Sequence, residues 1–336
     1  MTEKRRGVVW YSGFVVLTII TGILGIVISM ALNFQASPAP LWITLWLITL
    51  FLALLFAFRN GLLTSVVMII VSVSLFSLWW ISIKPTNQAD WQPDVAQLLT
   101  GEFDPVRPSL VTLNNVRNFD WHTVSDYNER WETRSYDLDR LKTADLILTT
   151  WGNPAIAHTM ISFGFEDGQQ IAFSIGIRPT AEQSFSSVAG FFKVYGLIET
   201  AADERDVVRL RTSVQEGNIV HLYRLAMREN TMRGLFVEYV NLANDLAQRP
   251  RFYRTILANC TTMIWKLVDR LDPGLKLDYR ILLTGYLPEY LYDQQALDMK
   301  FSLEELEAMS LLPTDLPDMQ DGAAYSAALR AGIPPL

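Results

Sequence analysis

The sequence predicts a membrane α-helical anchor of three transmembrane helices followed by an extracytoplasmic α+β domain. Three observations carry that expectation. The apolar residues concentrate in three runs before residue 84, a period-two pattern fills residues 155–178, and two stretches of helical period follow it.

The chain has 336 residues, half of them hydrophobic, and a mean hydropathy of +0.18, above that of an ordinary soluble protein. Beyond residue 90 the composition is that of a normal globular domain, long enough for one core. A formal net charge of −7 excludes nucleic acid as a partner, because phosphate binding rests on Lys and Arg displacing counterions. With a single cysteine, Cys260, no intrachain disulfide and no multi-cysteine zinc site can form.

The apolar runs cover residues 8–32, 41–58 and 62–83, and none contains a charged residue. At about 1.5 Å per residue, each spans a bilayer core of roughly 30 Å, the second with little tilt. Lys4, Arg5 and Arg6 precede the first run and Arg59 follows the second, while the loop between the first two has neither Lys nor Arg. The positive-inside rule therefore puts the amino terminus in the cytoplasm and everything after Lys84 outside, with Trp79, Trp80 and Trp91 as interfacial aromatics. The alternative of a cleavable signal peptide fits poorly: the first run exceeds a normal h-region and lacks a small-x-small cleavage site. Spans without ionisable residues make an anchor or a lipid-access wall, not a proton relay.

The expected divisions are an anchor at 1–84, a linker at 85–108 marked by Pro85, Pro93, Pro105 and Pro108, a periplasmic domain at 109–300 and a C-terminal tail at 301–336, proline-rich and irregular from about Pro313. Within the domain, residues 145–151 read as helix or strand, 207–211 and 218–225 as short strands, and 231–248 as a helix. A second helix, 260–271, is stopped by Asp272-Pro273-Gly274. Across 155–178 the odd positions are apolar on both sides of Glu166-Asp167-Gly168, which predicts a β-hairpin with one buried face. Pairing about Asp167 puts His158 opposite Gly176 on the other face, with Ser174 and Arg178 beside it.

Cys260 follows Asn259, a plausible N-cap, and opens a helix with the apolar stripe Ile264, Leu267, Val268 and Leu271. The first turn of a helix favours thiolate, so a strand-borne His158 facing Cys260 would form the nucleophile and base of a papain-like site, with the Asn259 and Thr261 region as oxyanion and cap residues. Against it stands the plain alternative of a small buried cysteine and a structural histidine. His122 falls in a polar loop and His221 at the start of a strand. Arg117, Arg178, Arg209, Arg211 and Arg280 are candidates for anionic headgroups or for salt bridges. No metal-ligand spacing, phosphate loop or dinucleotide fingerprint occurs, and no cofactor is implied.

Five ordered motifs, Asn115 to Trp121, Ala157-His158-Thr159 through Phe165, Ser174-Ile175-Gly176-Ile177-Arg178, Asn259-Cys260-Thr261-Thr262 and Asp278-Tyr279-Arg280-Ile281, resemble the Lnb N-terminal periplasmic domain family. Gly176 stands where a glutamate would complete the third motif. The resemblance implies a permuted papain-like fold of the NlpC and lecithin retinol acyltransferase type in the bacterial inner membrane. It also implies thiol acyl transfer or hydrolysis on acylated envelope substrates, such as lipoprotein N-acylation, with Cys260 as nucleophile, His158 as base and Ser174 or Arg178 in the region of the third catalytic group. Membrane lipid and a lipoprotein or acylated peptide would be the partners. A cell-wall peptidase or amidase of the same fold, and a non-catalytic lipoprotein- or partner-binding module, are the alternatives.

Overall fold

The computed structural model describes residues 7–334, so Lys4, Arg5 and Arg6, on which the orientation argument partly rests, lie outside the described residues. The chain forms two compact units: residues up to Pro85 together with Ser186–Val194, and Thr86–Phe185 together with Tyr195–Leu336.

In the first unit α1 (Val8–Gln35), α2 (Ala39–Asn60) and α3 (Leu62–Ser82) are long and apolar enough to cross a membrane. Ala53 and Ala57 are fully buried beside Leu17 and Ile69, small side chains that let helices approach closely where lipid gives no hydrophobic drive. Most Ile, Leu, Val and Phe side chains of these helices point outward, as a lipid-facing surface requires. Ser186–Val194, expected within the periplasmic domain, clusters here instead: the Phe192 ring stacks on Phe34 at 5.5 Å and Gln35 Nε2 donates to the Phe192 carbonyl at 2.8 Å.

The second unit is built on a mixed sheet. Its strands are β1 (Thr100–Phe103), β2 (Leu110–Arg117), β5 (Trp131–Asp137), β6 (Leu141–Trp151), β7 (Ala157–Phe165), β8 (Gln170–Arg178), β9 (Gly196–Ala202) and β10 (Asn218–Arg224). The order is β1-β2-β9-β8-β7-β6-β10, with β5 also on β2; β3 (Asp120–Trp121) and β4 (Tyr127–Asn128) form a separate small ribbon. The predicted hairpin is β7 and β8, with Met160 opposite Ser174 and Gly164 opposite Gln170, and Gly168 takes the positive φ of 83° that its turn needs.

One sheet face carries Ile161, Phe163, Phe173 and Ile175, covered by α5 (Glu229–Gln248) and α6 (Cys260–Leu271). Phe163, Phe173 and Phe236 are fully buried there, each stabilising by about 1.5–3 kcal/mol. Outside them stand α7 (Leu287–Asp293) and α8 (Leu303–Ser310).

The expectation of a hairpin with one buried face is corrected: the other face has its own core. Ile147, Met160 and Ala172 meet Val207 and Val208 of α4 (Glu204–Arg209) and Tyr325 and Leu329 of α9 (Gly322–Leu329). The predicted strand at 207–211 is therefore helix, running from α4 into a π-helical turn, Leu210–Val214. The Asp203 side chain caps its start by accepting from the Arg205 amide, and tertiary packing of Val207 and Val208 overrides their β preference. The tail is not irregular either: Arg330, just after α9, pairs with Asp145 at 2.8 Å and Glu204 at 2.6 Å, two fully buried carboxylates. The expected linker likewise carries β1 and buries Val95 and Leu99.

Candidate functional site

Side chains alternate across β7, so His158 and Thr159 face opposite ways. Thr159 Oγ1 lies 3.0 Å from Thr261 Oγ1 on α6. His158 points to the α4 side, where its Nε2 lies 2.8 Å from Ser174 Oγ and a β-carbon added at Gly176 would sit 3.9 Å from its Cε1. The Cys260 sulfur is on the α6 side, 4.0 Å from the Ala157 carbonyl and 3.7 Å from Thr261 Oγ1.

The structure thus does not bring Cys260 and His158 together. The apolar stripe of α6 must pack on the apolar face of the hairpin and takes the thiol there, while His158 belongs to the reverse face. Nor is the thiol open to solvent: it is 7% exposed and borders neither the cavity beside His158 nor the one beside α6.

The other predicted site residues divide. Asn259 caps α6, its side chain accepting from the Thr262 amide at 2.7 Å while Thr262 Oγ1 accepts from the Asn259 amide at 3.0 Å. Thr261 holds α6 to the sheet through Thr159. Arg178, expected near a catalytic base, is a clamp instead. Its guanidinium donates to the carbonyls of Val95 at 2.9 Å and Ala96 at 2.6 Å and lies 4.3 Å from the Trp91 ring centre. These contacts fix the segment once read as a linker.

His158 and Ser174 open into a cavity of about 690 Å³, in the range of small-molecule sites. Thr149, paired in register with His158, Thr200, Arg117 and Arg211 supply further polar groups, and Trp151, Phe185 and Val207 give apolar wall. A bulge in β2, where Asn115 adopts a φ of 64°, turns the end of that strand. Arg117 is bound there by Asp206, which accepts from its Nε and Nη2 at 2.9 Å, from the Phe119 amide and from Trp121 Nε1 at 2.8 Å. Burial, then the nearby Arg211, push the His158 pKa down to about 3, so the imidazole is neutral at pH 7 and a weak base.

Thr149 and Thr200 were missed from sequence, though strand pairing with the His158 arm would have found them. A second cavity of about 220 Å³ lies among α5, α6 and α7, walled by Leu235, Ile264, Trp265 and Tyr290 with Thr261 at its edge. On the α6 side of the sheet, Glu199 is buried with neither carboxylate oxygen bonded. Among the described residues no cluster of His, Cys, Asp and Glu could hold a metal ion.

Residues 127–288 match the family model described as the Lnb N-terminal periplasmic domain. No curated protein and no solved structure matches the chain. The matched segment contains His158, Ser174, Arg211 and Cys260 and leaves out the three apolar helices.

Proposed function

From residues 127–288 as a member of the Lnb N-terminal periplasmic domain family, we propose that this chain is a membrane-anchored recognition module whose working site is the His158 cavity, taking up a lipid or acylated peptide of the bacterial envelope. The observation that carries the reading is the separation of His158 and Ser174 from Cys260 by the thickness of the sheet. It leaves the His158 cavity without the thiol, and the thiol beside the Ala157 carbonyl and the Thr261 hydroxyl, not the imidazole. Strand order, His158 before the Cys260 helix, supports descent from a permuted papain-like fold. Arg59 and the basic residues before α1 support an inner-membrane placement with the amino terminus cytoplasmic and the domain periplasmic.

Gly176 gives a direct test, since a side chain there enters the cavity beside His158. Detergent-solubilised wild-type protein and Cys260→Ala should both retain a co-purifying lipid or acylated peptide, detected by mass spectrometry, and Gly176→Phe should lose it. Equal recovery from Gly176→Phe ends the reading.

One observation favours a second reading, thiol acyl transfer. Cys260 opens a fully capped helix, and its neighbour Thr261 borders the apolar cavity. This reading needs the first turn of α6 to expose the sulfur and a base other than His158. An acyl thioester on Cys260 after incubation with an activated acyl donor supports it; an unmodified thiol in folded protein removes it.

A further inference from the structure

The five arginines that the sequence offers as anion binders separate cleanly in the structure. Arg117 is paired with Asp206 at 2.9 Å, Arg209 with Asp318 at 3.4 Å and Arg280 with Asp278 and Asp293 at 2.8 and 2.7 Å. Arg178 is consumed by backbone carbonyls. Arg211, like Arg178, has no carboxylate within ion-pair reach among the described residues, and unlike Arg178 it is not clamped by several carbonyls. Its Nη1 donates to the Val207 carbonyl at 2.7 Å, leaving the rest of the guanidinium fork on the wall of the His158 cavity. It stands on the π-helical turn Leu210–Val214, a distortion that often marks working positions in helices.

A second, independent feature belongs to the same wall. Thr149 is 2% exposed and borders the cavity, and its hydroxyl has no hydrogen-bond partner. A half-buried guanidinium without a carboxylate partner and an unsatisfied buried hydroxyl both gain from a ligand that completes them. Two carboxylates also border the cavity, but Asp94 faces Arg117 at 3.7 Å and Glu216 is exposed, where water screens it. Burial and then repulsion from Arg117 push the Arg211 pKa down to about 10, against the weaker opposing pull of Asp206 and Asp94.

We propose that Arg211, Thr149 and Ser174 form an oxyanion-binding subsite, in which a phosphate or carboxylate group of the ligand is held by the Arg211 fork and the two hydroxyls while its organic body lies against Phe185 and Trp151. The geometry matches the planar, two-pronged recognition for which arginine is suited. Neutral His158 serves as a hydrogen-bond partner of Ser174, steering that hydroxyl. The inference rests on the cavity being the working site and adds the charge of what enters it.

The test is calorimetry on the full-length chain in an uncharged detergent, with dihexanoyl phosphatidic acid, inorganic phosphate, succinate and uncharged dihexanoylglycerol as probes. Wild-type protein should bind at least one of the three anions tenfold or more tightly than dihexanoylglycerol. Preference for the phosphatidic acid identifies a lipid headgroup, and equal binding of inorganic phosphate a free anion. Arg211→Gln should erase the tenfold preference without changing dihexanoylglycerol binding, Arg211→Lys should keep part of it, and Arg228→Gln, exposed and paired with Asp272, should change nothing. Absence of anion preference in wild type, or its survival in a folded Arg211→Gln protein, overturns the subsite. Gly176→Phe separates the two levels: if it leaves all binding intact the cavity reading itself fails, whereas loss with Gly176→Phe but not with Arg211→Gln removes the oxyanion alone.

Discussion

Glu199 is 2% exposed and neither of its carboxylate oxygens is hydrogen-bonded. Burial raises its pKa well above the usual carboxylate range, so the folded chain holds a proton there that the unfolded chain releases near pH 4.3. Its contribution is fully present below that pH and is lost as pH rises towards the folded pKa. Glu199→Gln should therefore raise the melting temperature at pH 8, by about 1–3 kcal/mol of stability, and make little difference at pH 4; a gap of equal size at both pH values would contradict this. His158 has the opposite sign. With a folded pKa of about 3 against about 6.5 unfolded, its stabilisation is complete above pH 6.5 and drains away as pH falls to 3. His158→Gln should flatten that acid limb, and an unchanged limb would show that the imidazole titrates normally.

The elements show why some of the fold was legible and some was not. The β7–β8 register and the Asn259 cap could be read directly, because strand alternation and capping are local rules. The expectation that His158 faces Cys260 overlooked the same alternation: Ile264 and Leu267 must meet the odd-numbered face of the hairpin, and His158 is even-numbered. The helix at 204–209 and the helix at 322–329 were illegible because long-range partners decide them. Val207 and Val208 become helical against Met160 and Ala172, and α9 is held through Arg330 to Asp145 and Glu204. Arg330→Met should cost about 3–5 kcal/mol by leaving Glu204 buried without its cation and Asp145 with Arg224 alone, read as a lower melting temperature in detergent. A loss below about 1 kcal/mol would mean that Arg224, also paired with Asp145, suffices.

Across the whole molecule, the three membrane-length helices were plain because runs of some 20 apolar residues have few other uses. The grouping of Ser186–Val194 with them was hidden, since nothing in that short stretch announces which core it joins. Cys260 is the chain's only thiol and is buried, which makes it a reporter on the state of the domain. Its modification by a maleimide should be slower in folded protein than in urea by on the order of a thousandfold or more, given ordinary domain stability. Labelling at the unfolded rate would show that the first turn of α6 opens readily and would revive thiol chemistry.

The bond between Asp145 and Arg330 joins positions 185 residues apart, and chains are made in one direction only. A ribosome adding about 5–20 residues per second takes roughly 10–40 s to cover such a gap. For that interval the newborn sheet waits without α9 and Glu204 without its arginine, a ready client for any chaperone it meets. Completion of the domain is in this sense scheduled by translation, and a ribosome stalled between the two positions would leave behind a strand array open to wrong partners.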